Sequence, residues 1–220
     1  MDETGFKTMM AYYYALITHI DDEVGRLMAH LDQLGLTDDT IVAFISDHGE
    51  QLGEHHAIQK RMFWEASVRV PCLVSWPGDL PSGHTVTTPL GGVDLAPTLL
   101  DLCGLGFDND IDGRSVAGAI LAGNQPDPAP VFSEIGTSDG INFRSTAPEE
   151  LAQRVMMLED RWKYIFHRTD GDELYNLADD PLEVNNLAGF PEHADRIASM
   201  KSAIQTMVTK TGPGFYEWCL

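Results

Sequence analysis

An aspartate followed at once by a histidine, Asp47-His48, stands directly after the apolar run Thr40-Ile41-Val42-Ala43-Phe44-Ile45-Ser46. A carboxylate oxygen beside a neutral imidazole nitrogen is a donor pair suited to a divalent cation, and it makes only half of a coordination shell. The run before it is β-branched and aromatic without polar alternation, the pattern of a strand covered on both faces in a parallel sheet. The pair would then emerge at a C-terminal sheet edge, where open α/β folds build ligand sites. Neighbouring strand side chains point to opposite faces, but a turn begun at Gly49 can swing both towards one point. The same dipeptide also fits a plainer arrangement, with Asp47 capping the following turn and His48 an ordinary half-exposed histidine.

The string then continues S-D-H-G-E-Q-L-G-E-H-H-A-I-Q-K-R-M-F-W-E-A-S-V-R-V-P, from Ser46 to Pro71. It resembles the sulfatase family of the alkaline-phosphatase superfamily, whose members share S-D-H/N-G, then L-G-x-H, then a lysine, then E-x-x-x-R-V-P leading into a strand. Here those blocks are Ser46 to Gly49, Leu52 to His55, Lys60, and Glu65 to Pro71. Two further blocks agree: Tyr14-Ala15 with Thr18 to Gly25, and Glu173 to Pro181 with Glu183 and Asn185-Asn186-Leu187. The resemblance implies that Asp47 and His48 are two ligands of the catalytic metal, commonly calcium in sulfatases and manganese or zinc in phosphonate monoester hydrolase relatives. It implies that Lys60 contacts the sulfate or phosphate group, and that His55 orders its loop or reaches the substrate. The offset of 60 − 47 = 13 residues lets a loop return over the site, so that an ammonium can meet the non-bridging oxygens as charge shifts. A solvated surface lysine is the plainer alternative for Lys60. Glu50, Glu54 and His56 read as exposed loop residues, and Glu65 and Arg69 as partners of each other or of loop backbone.

The resemblance also marks what these residues do not include. Sulfatases attack with a formylglycine made from a C/S-x-P-S/A-R motif, and none of Cys72, Cys103 and Cys219 stands in that setting. The family's paired N-terminal aspartates have no counterpart either, and whole members are about twice as long. The expectation is a C-terminal portion of a sulfatase, hydrolysing sulfate monoesters in the parent protein with a divalent metal and inactive alone. Phosphate or phosphonate monoester hydrolysis is the alternative within the superfamily, and a non-catalytic interaction module is the alternative outside it. The implied partners are the ester substrate and a missing N-terminal half, with self-association through exposed core if that half is absent.

These residues need elements to hold them. Apolar residues at Tyr13, Ile17, Ile20, Val24, Leu27, Leu31 and Leu34 fit a long amphipathic helix from Met9 to Leu34 that Gly35 ends. Val70 to Trp76 reads as a second buried parallel strand, and Asp94 as the cap of a short helix through Leu102 with Pro97 in its first turn. One or two helical turns follow near Ser115 to Leu121, and Pro130 to Ile135 reads as a third core strand. Val155 to Leu158, Trp162 to Phe166 and Glu173 to Leu177 predict an antiparallel meander, and Pro191 opens a last helix carrying Ile197, Met200, Ile204 and Met207. The fold class is therefore α/β, a partial α/β/α sandwich over residues 1–140 followed by a small α+β lobe over residues 141–220 with an antiparallel sheet.

Composition narrows the partners. The charge of 14 − 34 = −20 repels phosphate backbones and anionic membranes, so neither nucleic acid nor a membrane surface is expected. No apolar run is long enough to span a bilayer, and the start MDETGFKTMM resembles no signal peptide, which slightly favours the cytoplasm. The three cysteines show no disulfide or zinc spacing, and Cys72 and Cys103, in apolar runs, read as core thiols.

Overall fold

The computed structural model describes residues 2–60, 62–135, 154–168 and 170–211. Cys219 and the expected boundary between residues 140 and 141 lie outside them. Helix α1 (Glu3–Gln33) begins where Asp2 Oδ1 accepts from the Gly5 amide at 2.8 Å and ends at Gly35, whose φ of 67° is the left-handed stop that glycine adopts without a Cβ clash. Its stripe is not covered. No residue of α1 is buried, and Ile17, Ile20 and Leu27 are each about half exposed. No helix among the described residues is long and apolar enough to cross a membrane.

Strands β1 (Val42–Ile45) and β2 (Cys72–Ser75) form a two-stranded sheet, paired antiparallel from Val42↔Ser75 to Ile45↔Cys72. This corrects the parallel, doubly covered strands read from the sequence. Returning parallel would require the connection to run back along the strand, usually through a crossover helix. The excursion from 46 to 71 instead carries a 3-10 turn (Glu54–His56) and the four-residue helix α2 (Glu65–Val68), and the chain re-enters beside the end it left. Phe44, Ile45 and Leu73 remain exposed. Continuous apolar runs report burial in general, and not strand direction.

After β2 come α3 (Leu95–Leu102) and α4 (Ala117–Leu121). Asp94 does not cap α3 with its side chain. Its two carboxylate oxygens accept from the amides of Gly91 and Arg114, at 3.0 and 2.9 Å, tying the start of α3 to the approach to α4. Cys72 and Cys103 are exposed, contrary to expectation, because β2 is uncovered and Cys103 follows the last turn of α3.

The main core lies in the second sheet. Strands β3 (Val131–Ile135), β4 (Arg154–Glu159), β5 (Trp162–His167) and β6 (Glu173–Asn176) pair antiparallel in that order. The meander is thus as expected, whereas β3 joins this sheet rather than that of β1 and β2, pairing Phe132 with Met157. Alternation sends Val155, Met157, Tyr164, Phe166 and Leu174 to one face, where helix α5 (Ala194–Thr211) buries Met200, Ile204 and Val208 against them. The opposite face carries Met156, Ile165 and Tyr175, and what covers it is Phe63, with Trp64 and Val68. The segment downstream of Lys60 is therefore one wall of this core.

Candidate functional site

Asp47 and His48 follow β1 at once, and the backbone there is pinned by a close approach. The Gly49 amide donates to Ser67 O at 2.7 Å, and a Cβ on Gly49 would stand 2.0 Å from Ala66 O, so only glycine lets this strand end lie on α2. Gln51, 1 % exposed, extends the contact through Nε2 to Ser67 Oγ at 2.8 Å. Beyond it, Leu52, His55, His56 and Gln59 all have positive φ, a conformation that costs a side-chain-bearing residue about 1–3 kcal/mol and persists where surroundings enforce it. Glu50, expected to be an idle surface carboxylate, contributes to that enforcement: its Oε1 accepts from the amides of Leu52 and Gln59.

Within this frame the structure brings Asp47, His48 and Lys60 together. His48 Nδ1 lies 2.8 Å from Gly49 O, so it carries the proton and donates, leaving Nε2 as the ring's lone-pair nitrogen. That nitrogen faces Asp47 Oδ2 at 3.2 Å and the Lys60 ammonium, which donates to it. Asp47 Oδ1 accepts from the His48 amide at 3.0 Å. The cluster is at the surface, with the Asp47 side chain 81 % exposed. His55 is placed apart: it stacks on Trp64 with ring centroids 3.8 Å apart. It also lines a cavity of about 440 Å³ with His56, Tyr175, Leu182 and Glu183, and none of Asp47, His48 and Lys60 lines that cavity.

Asp47 Oδ2 and His48 Nε2 are a donor pair that one divalent cation could share. A metal-binding histidine usually donates its other ring N–H to a carbonyl or carboxylate, which fixes the tautomer and aims the free lone pair; Gly49 O does this for His48. The Asp47 carboxylate lies close enough for one ion to touch both groups, and such an ion would take the Nε2 lone pair over from the Lys60 ammonium, freeing that charge.

A second group of charged residues is buried under the stretch that follows Lys60. Glu65, expected to pair with Arg69, does so only at 4.0 Å; its principal partner is Lys163, at 2.7 Å. Lys163 is wholly buried and also donates to Glu183 Oε1 at 2.7 Å and Phe63 O at 2.9 Å. Burial pushes the Glu183 carboxyl up, and Lys163 and the Glu65 amide only partly offset this. Beside them Glu173 accepts from Tyr175 at 2.6 Å and from the Trp64 indole at 3.3 Å, and meets His167 Nε2 at 2.7 Å. Burial raises the Glu173 carboxyl, but the bonds from His167 and Tyr175, the His167 charge and the Trp64 bond together outweigh it, so the group rests below its ordinary value. A lysine inside the apolar run Trp162 to Phe166 was the available signal, since lysine is almost never buried unless paired.

Comparison with known proteins follows the same residues. A family model described as Sulfatase matches residues 2–105. The chain is 34 % identical to a choline-sulfatase of Rhizobium meliloti (strain 1021) over 182 residues, covering 81 % of this chain and 33 % of that protein. It is 30 % identical to arylsulfatase K of Xenopus laevis over 210 residues, 94 % of this chain and 38 % of that protein. Among solved structures, the phosphonate monoester hydrolase of Agrobacterium radiobacter superposes with a TM-score of 0.81 at 27 % identity, over 93 % of this chain and 42 % of that one. The chain thus spans less than half the length of the proteins it matches. The matched stretch holds Asp47, His48 and Lys60, and the likeness in fold extends through the second sheet: the chain belongs to the sulfatase family of the alkaline-phosphatase superfamily.

Proposed function

We propose that this chain supplies the metal- and anion-holding part of a sulfate-monoester hydrolase. Asp47 and His48 are two ligands of a divalent cation, calcium by preference, and Lys60 is the charge that meets the non-bridging oxygens of the ester. The observation that carries this is His48, whose Nδ1 is committed to Gly49 O while Nε2 faces both Asp47 Oδ2 and Lys60. When bound, such a cation polarises an ester oxygen and stabilises charge that develops on the transferred group. The chain's own contribution is to hold two ligands and a flexible ammonium at one point. Two ligands leave most of calcium's six to eight positions to other groups, so the 220 residues alone bind metal weakly, and without a C/S-x-P-S/A-R motif they carry no family nucleophile. The remaining parts come from further protein that packs on the exposed stripe of α1 and the uncovered faces of β1 and β2, or these faces drive self-association.

Phosphonate or phosphate monoesters are the second reading, supported by the likeness to the phosphonate monoester hydrolase; manganese or zinc then replaces calcium. The test is hydrolysis of matched sulfate and phosphonate esters by the whole protein that contains this chain. Asp47→Asn and Lys60→Ala are each expected to lower kcat by about 10²-fold or more, the usual loss when a charge-stabilising contact is removed. Turnover that survives Lys60→Ala would sink the assignment, and so would sub-micromolar calcium binding by the isolated chain.

A further inference from the structure

We infer that Lys163, on the second sheet, is a positioning residue that sets Lys60 against His48 through Phe63 and Glu65. The inference rests on the reading of Asp47, His48 and Lys60 given above. Its ammonium donates to Phe63 O at 2.9 Å and to Glu183 Oε1 at 2.7 Å, and pairs with the charge of Glu65 Oε1 at 2.7 Å. A wholly buried ammonium held by two hydrogen bonds and paired with two carboxylates is a fixed point, because displacing it leaves charge unpaired in the core. Two of the three partners belong to residues just downstream of Lys60.

Their neighbours are fixed to the same sheet. Arg154 donates to Met62 Sδ at 2.7 Å, the Trp64 indole donates to Glu173 at 3.3 Å, and the Glu65 amide donates to Glu183 Oε2 at 2.6 Å. Glu183 holds a φ of 54°, an unfavourable conformation that presents one carboxylate to both Lys163 and the Glu65 amide. From this anchored stretch the chain runs back to Lys60. On its other side Ser67 O receives the Gly49 amide, and Gly49 O in turn receives His48 Nδ1. Both partners of the Lys60–His48 contact thus hang from residues 62–67, and Lys163 is the only buried ammonium beneath that stretch among the described residues.

The experiment is nitrogen NMR of the full chain with ¹⁵N-labelled histidine, every sample at one common pH, the His48 resonance being assigned with His48→Gln. Lys60→Met first defines the signature: loss of its hydrogen bond moves the Nε2 resonance towards that of an unbonded ring nitrogen. The double variant Lys163→Met with Glu183→Gln, which fills the volume and leaves no orphaned carboxylate at 183, is expected to reproduce that displacement. Tyr164→Phe, which removes the bond to Asp172 from the opposite face of the same strand, is expected to leave the resonance in place. A folded double variant with the wild-type His48 signal overturns the inference. If the double variant does not fold, Glu65→Ala, which leaves Lys163 with Glu183 and Phe63 O, must give a smaller displacement in the same direction, and no displacement again overturns it. A resonance that ignores Lys60→Met would instead refute the Lys60–His48 contact itself.

Discussion

Gly49 shows how narrow the tolerance is for single residues. A methyl group there would stand 2.0 Å from Ala66 O, against backbone rather than a side chain able to turn aside. Gly49→Ala is therefore expected to destabilise the chain by about 1–3 kcal/mol, the usual cost of overpacking, measured as a lower urea midpoint with unchanged slope. Lys163→Met is expected to cost more, roughly 3–5 kcal/mol, because the buried Glu183 would lose its only cation and Glu65 would keep only the distant Arg69. Neutralising both carboxylates in the same chain is expected to recover most of that loss, and an unfolding series on the single and triple variants checks it. The two positions differ in how far the sequence revealed them. Asp47, His48 and Lys60 are legible because their spacing follows a known block. Lys163 is legible only as a lysine inside an apolar run, which calls for a buried partner without naming it, because its acceptors lie 100 and 20 residues away and no local pattern links them.

Among elements, the antiparallel meander was readable because β4, β5 and β6 each carry strong strand formers separated by short turns, such as that at Asp160, which has a φ of 55°. The direction of β2 was not, since an uncovered apolar strand and a doubly covered one have the same composition. Nor was the lower wall of the second sheet, built by Phe63 and Trp64 from far upstream. Glu173 joins that wall to β5 and β6, which makes acid a probe of the joint. A carboxyl held below its ordinary value of 4.5 takes up its proton less readily folded than unfolded. Its stabilisation is thus complete above that value and lost as pH falls through the folded one. Thermal unfolding between neutral pH and about pH 3 should show this loss in the wild type and a flatter profile in Glu173→Gln. On the other face Ile204 is fully buried, and Ile204→Ala is expected to cost about 2–5 kcal/mol, read from denaturant unfolding.

At the scale of the whole molecule, apolar surface and charge oppose one another. Tyr12, Leu16, Ile17, Ile20 and Leu73 are exposed, a surface that favours association, while a charge of −20 keeps copies apart. Salt screens the second effect and not the first. Sedimentation velocity is expected to show association rising with ionic strength, and Ile17→Lys with Ile20→Lys is expected to suppress it; association that falls with added salt would contradict the account. The anchors of residues 62–65 also carry a consequence for the order in which the chain is made. The partners of Met62, Phe63, Trp64 and Glu65 lie 92, 100, 109 and 118 residues downstream, and closing such long loops precedes any gain from the contacts they bring. On a ribosome, Asp47, His48 and Lys60 are all synthesised well before the strands that steady them exist. We expect protease cutting near Lys60 to remain rapid in nascent chains arrested short of Glu183 and to slow once that residue has cleared the exit tunnel, so that the later strands decide when the earlier loop takes its shape.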